Sequence, residues 1–172
     1  MKLVKFSVTN FRSILKAHDI PISDTTVLVG KNNEGKSNLL KALSISMNAI
    51  GSHAMASRRR DRVGSSMIRH RPPRRFADNF YDWKRDFPIS QRTRRGKKQT
   101  IFKLEFELTD DEVSAFKKEI KSNLNGTLPL KITIGENDEP EIKVVKGGRA
   151  NATLNSKSEK ITEYIARRIS FN

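Results

Sequence analysis

Residues 30–37 read Gly30-Lys31-Asn32-Asn33-Glu34-Gly35-Lys36-Ser37 and satisfy the pattern G-x-x-x-x-G-K-[ST] at every position. The pattern has a mechanical meaning. Glycines at its two fixed points allow unusual backbone angles and close approach, so successive amide N–H groups can converge on one concavity. A following helix aims its unpaired amides and the positive end of its dipole at the same spot. The matching ligand is a nucleotide phosphate. Lys36 would reach the β- and γ-phosphates, the Ser37 hydroxyl would hold Mg²⁺, and the amides of Asn33, Glu34, Gly35 and Lys36 would wrap the anion. Gly30, Asn32 and Asn38 complete the expected nucleotide-contacting set, with ATP and Mg²⁺ as the cofactors. A glycine- and asparagine-rich connection with a stray lysine would have the same composition, but the flanks favour the phosphate loop. Thr26-Val27-Leu28-Val29 reads as a short strand buried on both faces, and Ser37–Ile50 as a helix with an apolar stripe of Leu39, Leu40, Leu43 and Met47.

Working outward, residues 2–10 alternate, with Val4, Phe6 and Val8 on one face, and Ala17–Ile22 suits a partner strand. On the other side, periodicity fails from Gly51 to Gln99. Few aliphatic residues occur there, so much of the segment is expected to be mobile, with Phe76, Phe80, Tyr81, Trp83 and Phe87 able to anchor a short ordered piece. Order is expected to return with a strand at Thr100–Leu108, whose apolar positions are Ile101, Leu104 (out of strict register), Phe106 and Leu108. Thr109-Asp110-Asp111-Glu112 is a capping box that opens a helix carrying Val113, Phe116 and Ile120. Leu128–Ile134 and Glu141–Lys146 form an expected hairpin, and a second capping box at Ser156–Glu159 opens a last helix with Ile161, Tyr164, Ile165 and Ile169 inward. The chain thus divides into a phosphate-loop core at 1–50, a basic insertion at 51–99 and a strand–helix–hairpin–helix continuation at 100–172.

Charge supports that division. The 172 residues suit one domain or the opening portion of a larger one, and they carry 34 Lys or Arg against 19 Asp or Glu, a net +15. Between Arg58 and Lys98 there are 15 basic residues and four acids, a net +11, which leaves the remainder almost balanced. Such a stretch fits the phosphates of a nucleic acid, with its aromatics free to stack on unpaired bases. An acidic face of a protein partner would fit it too. The absence of Cys excludes disulfides, Cys-ligated zinc and thiol catalysis. No apolar run approaches the roughly 20 residues of a spanning helix, and the mixed N-terminus is no signal peptide. A cytoplasmic protein with no membrane partner is expected.

Three features together resemble the N-terminal lobe of an ABC-type P-loop ATPase head. They are the opening strand ending in Asn10-Phe11-Arg12-Ser13, the phosphate loop about twenty residues later, and the helix Ser37-Asn38-Leu39-Leu40-Lys41-Ala42-Leu43. Chromosome-maintenance, recombination-repair and OLD (overcoming lysogenization defect) proteins begin this way. The form Gly30-Lys31-Asn32-Asn33, the segment Arg85-Asp86-Phe87-Pro88 and the strand with capped helix at 101–120 look most like the OLD-like and AAA-15-like anti-phage ATPases. The resemblance is strong over 1–50 and looser over 100–172. It implies an α/β P-loop NTPase fold with a mixed sheet around the phosphate-loop helix, a second ATPase head as partner, DNA as a further partner, and a Toprim-type nuclease attached or associated. It also puts Arg12 near the nucleotide phosphates, although the residue by itself would equally suit a solvated strand end.

Downstream of the loop the sequence departs from that family's pattern. After Ser37 no apolar strand ends in Asp-Glu, so the Walker B acid and the water-activating glutamate are missing, and Lys146-Gly147-Gly148-Arg149 is a poor substitute for the signature motif. The expectation is an incomplete head, a fragment or N-terminal half, that holds nucleotide and hydrolyses it poorly alone. No catalytic residue is assigned. His18, His53 and His70 have no metal-ligand spacing, Asp110 and Asp111 suit the first turn of a helix rather than a carboxylate pair, and Gln91 and Gln99 do not clearly end core strands. The alternative is a basic nucleic-acid-binding module without catalysis, whose phosphate loop is structural or regulatory.

Overall fold

The computed structural model describes residues 1–30, 35–62, 80–121, 124–145, 154 and 156–168, with the side chains of 57–62 left aside. The first hairpin pairs β1 (Lys2–Phe11) with β2 (Ile14–Pro21) around Arg12 and Ser13. Helix α1 (Lys36–Arg62) comes next, then two single-turn helices, α2 (Trp83–Asp86) and α3 (Ile89–Arg92). The chain re-enters the sheet as β3 (Thr100–Glu107), continues through α4 (Asp110–Ile120) and a hairpin of β4 (Thr127–Ile134) and β5 (Pro140–Val144), and reaches α5 (Ser158–Arg168). The five strands form one sheet in the order β2-β1-β3-β4-β5, and every pairing is antiparallel. The α/β class is as expected.

Strand alternation builds one covered face and one wet face. Phe6 and Val8 lie opposite Leu104 and Phe102, which lie opposite Leu130 and Ile132, and Ile142 extends the row. All are buried in one core with Ile45 and Ile50 of α1, Phe116 and Ile120 of α4, and Ile161, Tyr164 and Ile165 of α5. The helices therefore cover a single face. The other face carries Lys103, Lys131 and Lys143 directly opposite one another, a row of like charge that only solvent can tolerate. Lys143 is offset by Glu141 on the same strand, and Lys5 by Glu105 across β1 and β3.

Several expectations are corrected. Thr26–Val29 is not a strand: the segment has no ladder, and Val27 and Val29 are 75% and 90% exposed. A strand needs a neighbour, and β2 on this edge pairs only with β1 among the described residues. For the same reason the sheet, expected to be mixed, is antiparallel among the described residues. Second, α1 does not bury its leucine stripe. Its inner face is Ala42, Ile45, Ser46, Ala49, Ile50 and Ala54, while Leu39, Leu43 and Met47 are half-buried and Leu40 is exposed. Alanines at this spacing let α1 approach β1 and α5 closely, and burial follows that approach rather than side-chain size. Third, α1 runs through Gly51 to Arg62 instead of stopping near Ile50. Fourth, β3 buries Phe102, Leu104 and Phe106 in strict alternation, so Ile101 rather than Leu104 is the residue out of register.

Residues 80–99 are held in place. Tyr81 and Phe87 are buried, and Trp83 stacks on Phe87 at 3.9 Å. The Tyr81 hydroxyl bonds Thr100 Oγ1 at 2.7 Å, and that hydroxyl donates to the Asn10 carbonyl at 2.6 Å, which ties the segment to β1 and β3. Burial pushes the Tyr81 phenol well above its ordinary value, so it stays neutral here. The Trp83 amide donates to Asp138 in the β4–β5 turn at 2.7 Å. Phe80 is at the surface, and Phe76 and the basic run Arg69–Arg75 lie outside the described residues.

The capping box at α4 forms as read. Thr109 N–H donates to Glu112 at 3.0 Å and Glu112 N–H to the Thr109 hydroxyl at 3.4 Å. Thr109→Ala should lower stability by about 1 kcal/mol. Urea unfolding followed by circular dichroism checks this: the midpoint should fall with an unchanged slope, and an unmoved midpoint would leave the box without energetic weight.

Candidate nucleotide site

The start of α1 is defined by the first helical bond, Leu39 N–H to the Gly35 carbonyl at 2.8 Å. Amides ahead of Leu39 thus lack helical partners. The first turn of α1 holds no acidic residue, and Lys36 stands at its first position. By contrast, α4 opens with Asp110, Asp111 and Glu112, and α5 with Glu159. A cation at the positive end of a helix is electrostatically adverse unless an anion is brought there. That arrangement fits a bound phosphate. Gly35 takes φ +94°, a region that strains any residue with a Cβ. A Cβ at this position would only touch Ile14 and the Ser13 hydroxyl at 3.6 Å, so conformation rather than space requires glycine here.

The β1–β2 turn lies against this helix start. Asn38 donates from Nδ2 to the Ser13 hydroxyl at 2.9 Å and accepts from Arg12 Nη1 at 3.4 Å. Lys36 Nζ donates to the Gly30 carbonyl, bridging the two ends of the loop. Between the turn and the helix is an open pocket of about 450 Å³, lined by Ser13–Ala17, Leu28, Val29, Gly35, Lys36 and Leu39. Ser37 is at least partly exposed in the first turn, where its hydroxyl can meet a metal ion entering with a ligand. Of the expected contact set, the structure thus brings Gly30, Gly35, Lys36, Ser37, Asn38 and Arg12 to one end of the sheet. Asn32, Asn33 and Glu34 lie outside the described residues.

Arg12 is no solvated strand end. It occupies the left-handed region at φ 49°. Its amide donates to the Asp86 carbonyl at 2.7 Å and its Nε to Asp86 Oδ1 at 2.7 Å. Asp86 is fully buried. It also accepts from Arg85 Nη2 at 2.8 Å, Arg85 Nε at 3.0 Å and the Asp82 amide at 3.0 Å. Two guanidinium groups therefore share one carboxylate close to the start of α1. Arg92 steadies the segment by donating to the Lys84 carbonyl at 2.7 Å. Sequence reasoning misses Asp86 as a site residue, because an acid inside a basic run reads as a solvated counter-charge. The available signal is Asp82 at an N-cap spacing, which starts the turn that carries Asp86 inward.

The family of the AAA ATPase domain matches residues 1–169. The chain belongs to that family. It is therefore a P-loop ATPase domain, in keeping with the loop at 30–37 and the α/β fold. Over 44 residues this ATPase domain is 52% identical to the uncharacterized protein MJECL44 of Methanocaldococcus jannaschii, a match spanning 26% of this chain and 13% of that protein. A solved chain from work on ATP-driven dimerization and DNA-stimulated activation of SMC ATPases aligns with a TM-score of 0.48 at 13% identity, covering 100% of this chain and 87% of that one.

Other candidates take ordinary places. His18 bonds Thr9 and His53 bonds Thr162, each at 2.9 Å, and His70 lies outside the described residues. Among the described residues no group of three or more His, Asp or Glu is set to hold a metal, and no helix is long and apolar enough to cross a membrane.

Burial on its own would raise the Asp86 pKa, but hydrogen bonds from Arg85, the Asp82 amide and Arg12 outweigh it and hold the carboxyl below the usual 3.8. A depressed folded-state value means stability that is complete above the unfolded value and lost as pH falls through the folded one. Asp86→Asn should therefore be less stable than wild type at neutral pH and flatten the acid limb below about pH 4. Urea midpoints across that limb test this, and parallel curves would remove Asp86 from the acid response.

Proposed function

We propose that this domain is the ATP-binding lobe of an OLD-like, ABC-type ATPase head, in which nucleotide joins two heads and the joined state controls DNA binding or an attached or associated nuclease. The observation that carries the reading is the helix start at Lys36. It has a cation where the helix dipole already points its positive end, no acid in its first turn, and Arg12 held alongside. A polyphosphate with Mg²⁺ brings negative charge and acceptor atoms to that positive end. Lys36 and the amides at the α1 start would bind the phosphates, Ser37 would hold the metal ion, and the pocket beside Ser13–Ala17 would take the rest of the nucleotide. Asn32, Asn33 and Glu34 would contribute loop amides. Membership of the ATPase family supports ATP as the nucleotide.

Head joining is then a population shift. A ligand that touches both heads only in the closed pair favours that pair by its extra contacts there. The net +11 between Arg58 and Lys98 supports DNA as the second partner, through phosphate neutralisation that reads no sequence. Hydrolysis by this lobe alone is expected to be slow, since its sequence supplies no Walker B acid. We place the protein in the cytoplasm, where nucleotide and DNA are both available.

Thermal melting with Mg²⁺–ATP at a hundred times its dissociation constant should stabilise the protein by about 2.7 kcal/mol, and Lys36→Ala should abolish that shift. Equal melting with and without nucleotide would instead favour the nucleic-acid module with a structural loop. For DNA, a labelled duplex should bind with an affinity that falls steeply with salt. Replacing Arg69, Arg71, Arg74 and Arg75 with Gln should weaken binding and flatten the salt slope, and an unchanged slope would take DNA away from the basic stretch.

A further inference from the structure

We propose that Asp86 is a positioning residue for nucleotide binding: it sets the backbone and guanidinium of Arg12 so that the arginine's remaining donors face the start of α1. The inference rests on the nucleotide reading above and names a residue which that reading does not contain. Three observations meet at this pair. Asp86 bonds Arg12 twice, once from its carbonyl to the Arg12 amide and once from its carboxylate to Nε, both at 2.7 Å. The first bond secures a left-handed backbone at φ 49°, a conformation that a non-glycine residue keeps only when its surroundings impose it. The second fixes the plane of the guanidinium, because Nε and the two terminal nitrogens form one rigid fork. With Nε directed at Asp86 and Nη1 at Asn38, the terminal end of the fork is aimed at the first turn of α1.

The same carboxylate accepts from Arg85 and from the Asp82 amide, so it is anchored by α2 independently of Arg12. Its place is further fixed by Phe87 and Tyr81, which are buried on either side of it in sequence. Asp86 therefore acts as a rigid post on which the longer Arg12 side chain leans. A planar fork held in this way suits two oxygens of one phosphate group, whereas an unrestrained arginine would have to lose rotamer freedom on binding. Asp86 provides that ordering in advance. The consequence is specific: Asp86 should influence nucleotide affinity only through Arg12.

Calorimetric titration of Mg²⁺–ATP into four proteins tests this: wild type, Asp86→Asn, Arg12→Ala and the double variant. Asp86→Asn should weaken binding by about tenfold. In the Arg12→Ala background the same change should alter affinity by less than about twofold, although it still lowers stability. A merely structural Asp86 would give equal losses in both backgrounds, or none, and either result overturns the proposal. Arg12→Lys provides a second route should Asp86→Asn fold poorly. It keeps the charge but cannot bond Asp86 and Asn38 as one fork, so it should also lose about tenfold, and wild-type affinity would count against positioning. Lys36→Ala in parallel separates the two ideas. If wild type binds no better than Lys36→Ala, the nucleotide reading fails and this proposal with it. Normal wild-type binding with unaffected Asp86→Asn removes the positioning role alone.

Discussion

The turn between β1 and β2 rests on the first turn of α1, and the candidate site exists only because of that contact. Ser13 and Arg12 both bond Asn38, the third residue of the helix, and Gly35 lies beside the same turn, where a Cβ would meet Ile14 and Ser13. Without it, Lys36 would sit at an isolated helix end. With it, the loop, the arginine and the helix dipole act on one volume. The contact is maintained from behind by the core, where Ala42, Ile45 and Ala49 let α1 lie close beneath β1. Sheet and helix are thus packed to place a backbone feature, the first-turn amides at Gly35–Asn38, next to a side chain from a distant strand end.

Electrostatics explain why this arrangement is stable. Arg12 and Arg85 converge on one buried carboxylate, and Lys36 stands at the positive end of α1. Desolvating a carboxylate is costly unless its oxygens are saturated, and Asp86 has four donors to do so. Arg12, held by this carboxylate, and Lys36 thus both stand at the start of α1. At α4 and α5 the protein places acids at the helix start and gains from the dipole in the ordinary way. The long helix α1 has no acid in its first turn, and a phosphate there would meet the dipole in the same sense.

The edge beside β2 has a different character. Val27 and Val29 are exposed, Leu28 is half-buried, and Leu40 of α1 is exposed as well. Composition favours reading Thr26–Val29 as a buried strand, since β-branched residues in an unbroken run suit a covered sheet. A strand is a pairing, however, and pairing depends on a second segment. A similar lesson comes from α1. Its leucines suggest an inner face by size, yet the alanine face meets the core, because close approach of helix to sheet depends on the smallest residues.

The local string suffices for the phosphate-loop pattern, the capping box at Thr109–Glu112 and the hairpin of β4 and β5, whereas a bulge in β1 puts Leu3 rather than the expected Val4 on the core face. The first three depend on residues within a few positions of one another, so their chemistry is complete locally. Tertiary structure decided which face of α1 is buried, whether residues 26–29 pair, and that Asp86 reaches Arg12 from 74 positions away. Those outcomes depend on how separate elements approach, and no local pattern carries that information. An aspartate among arginines looks the same on paper whether it is solvated or enclosed; in the fold Tyr81 and Phe87 are buried on either side of it in sequence, and Asp86 is enclosed between them.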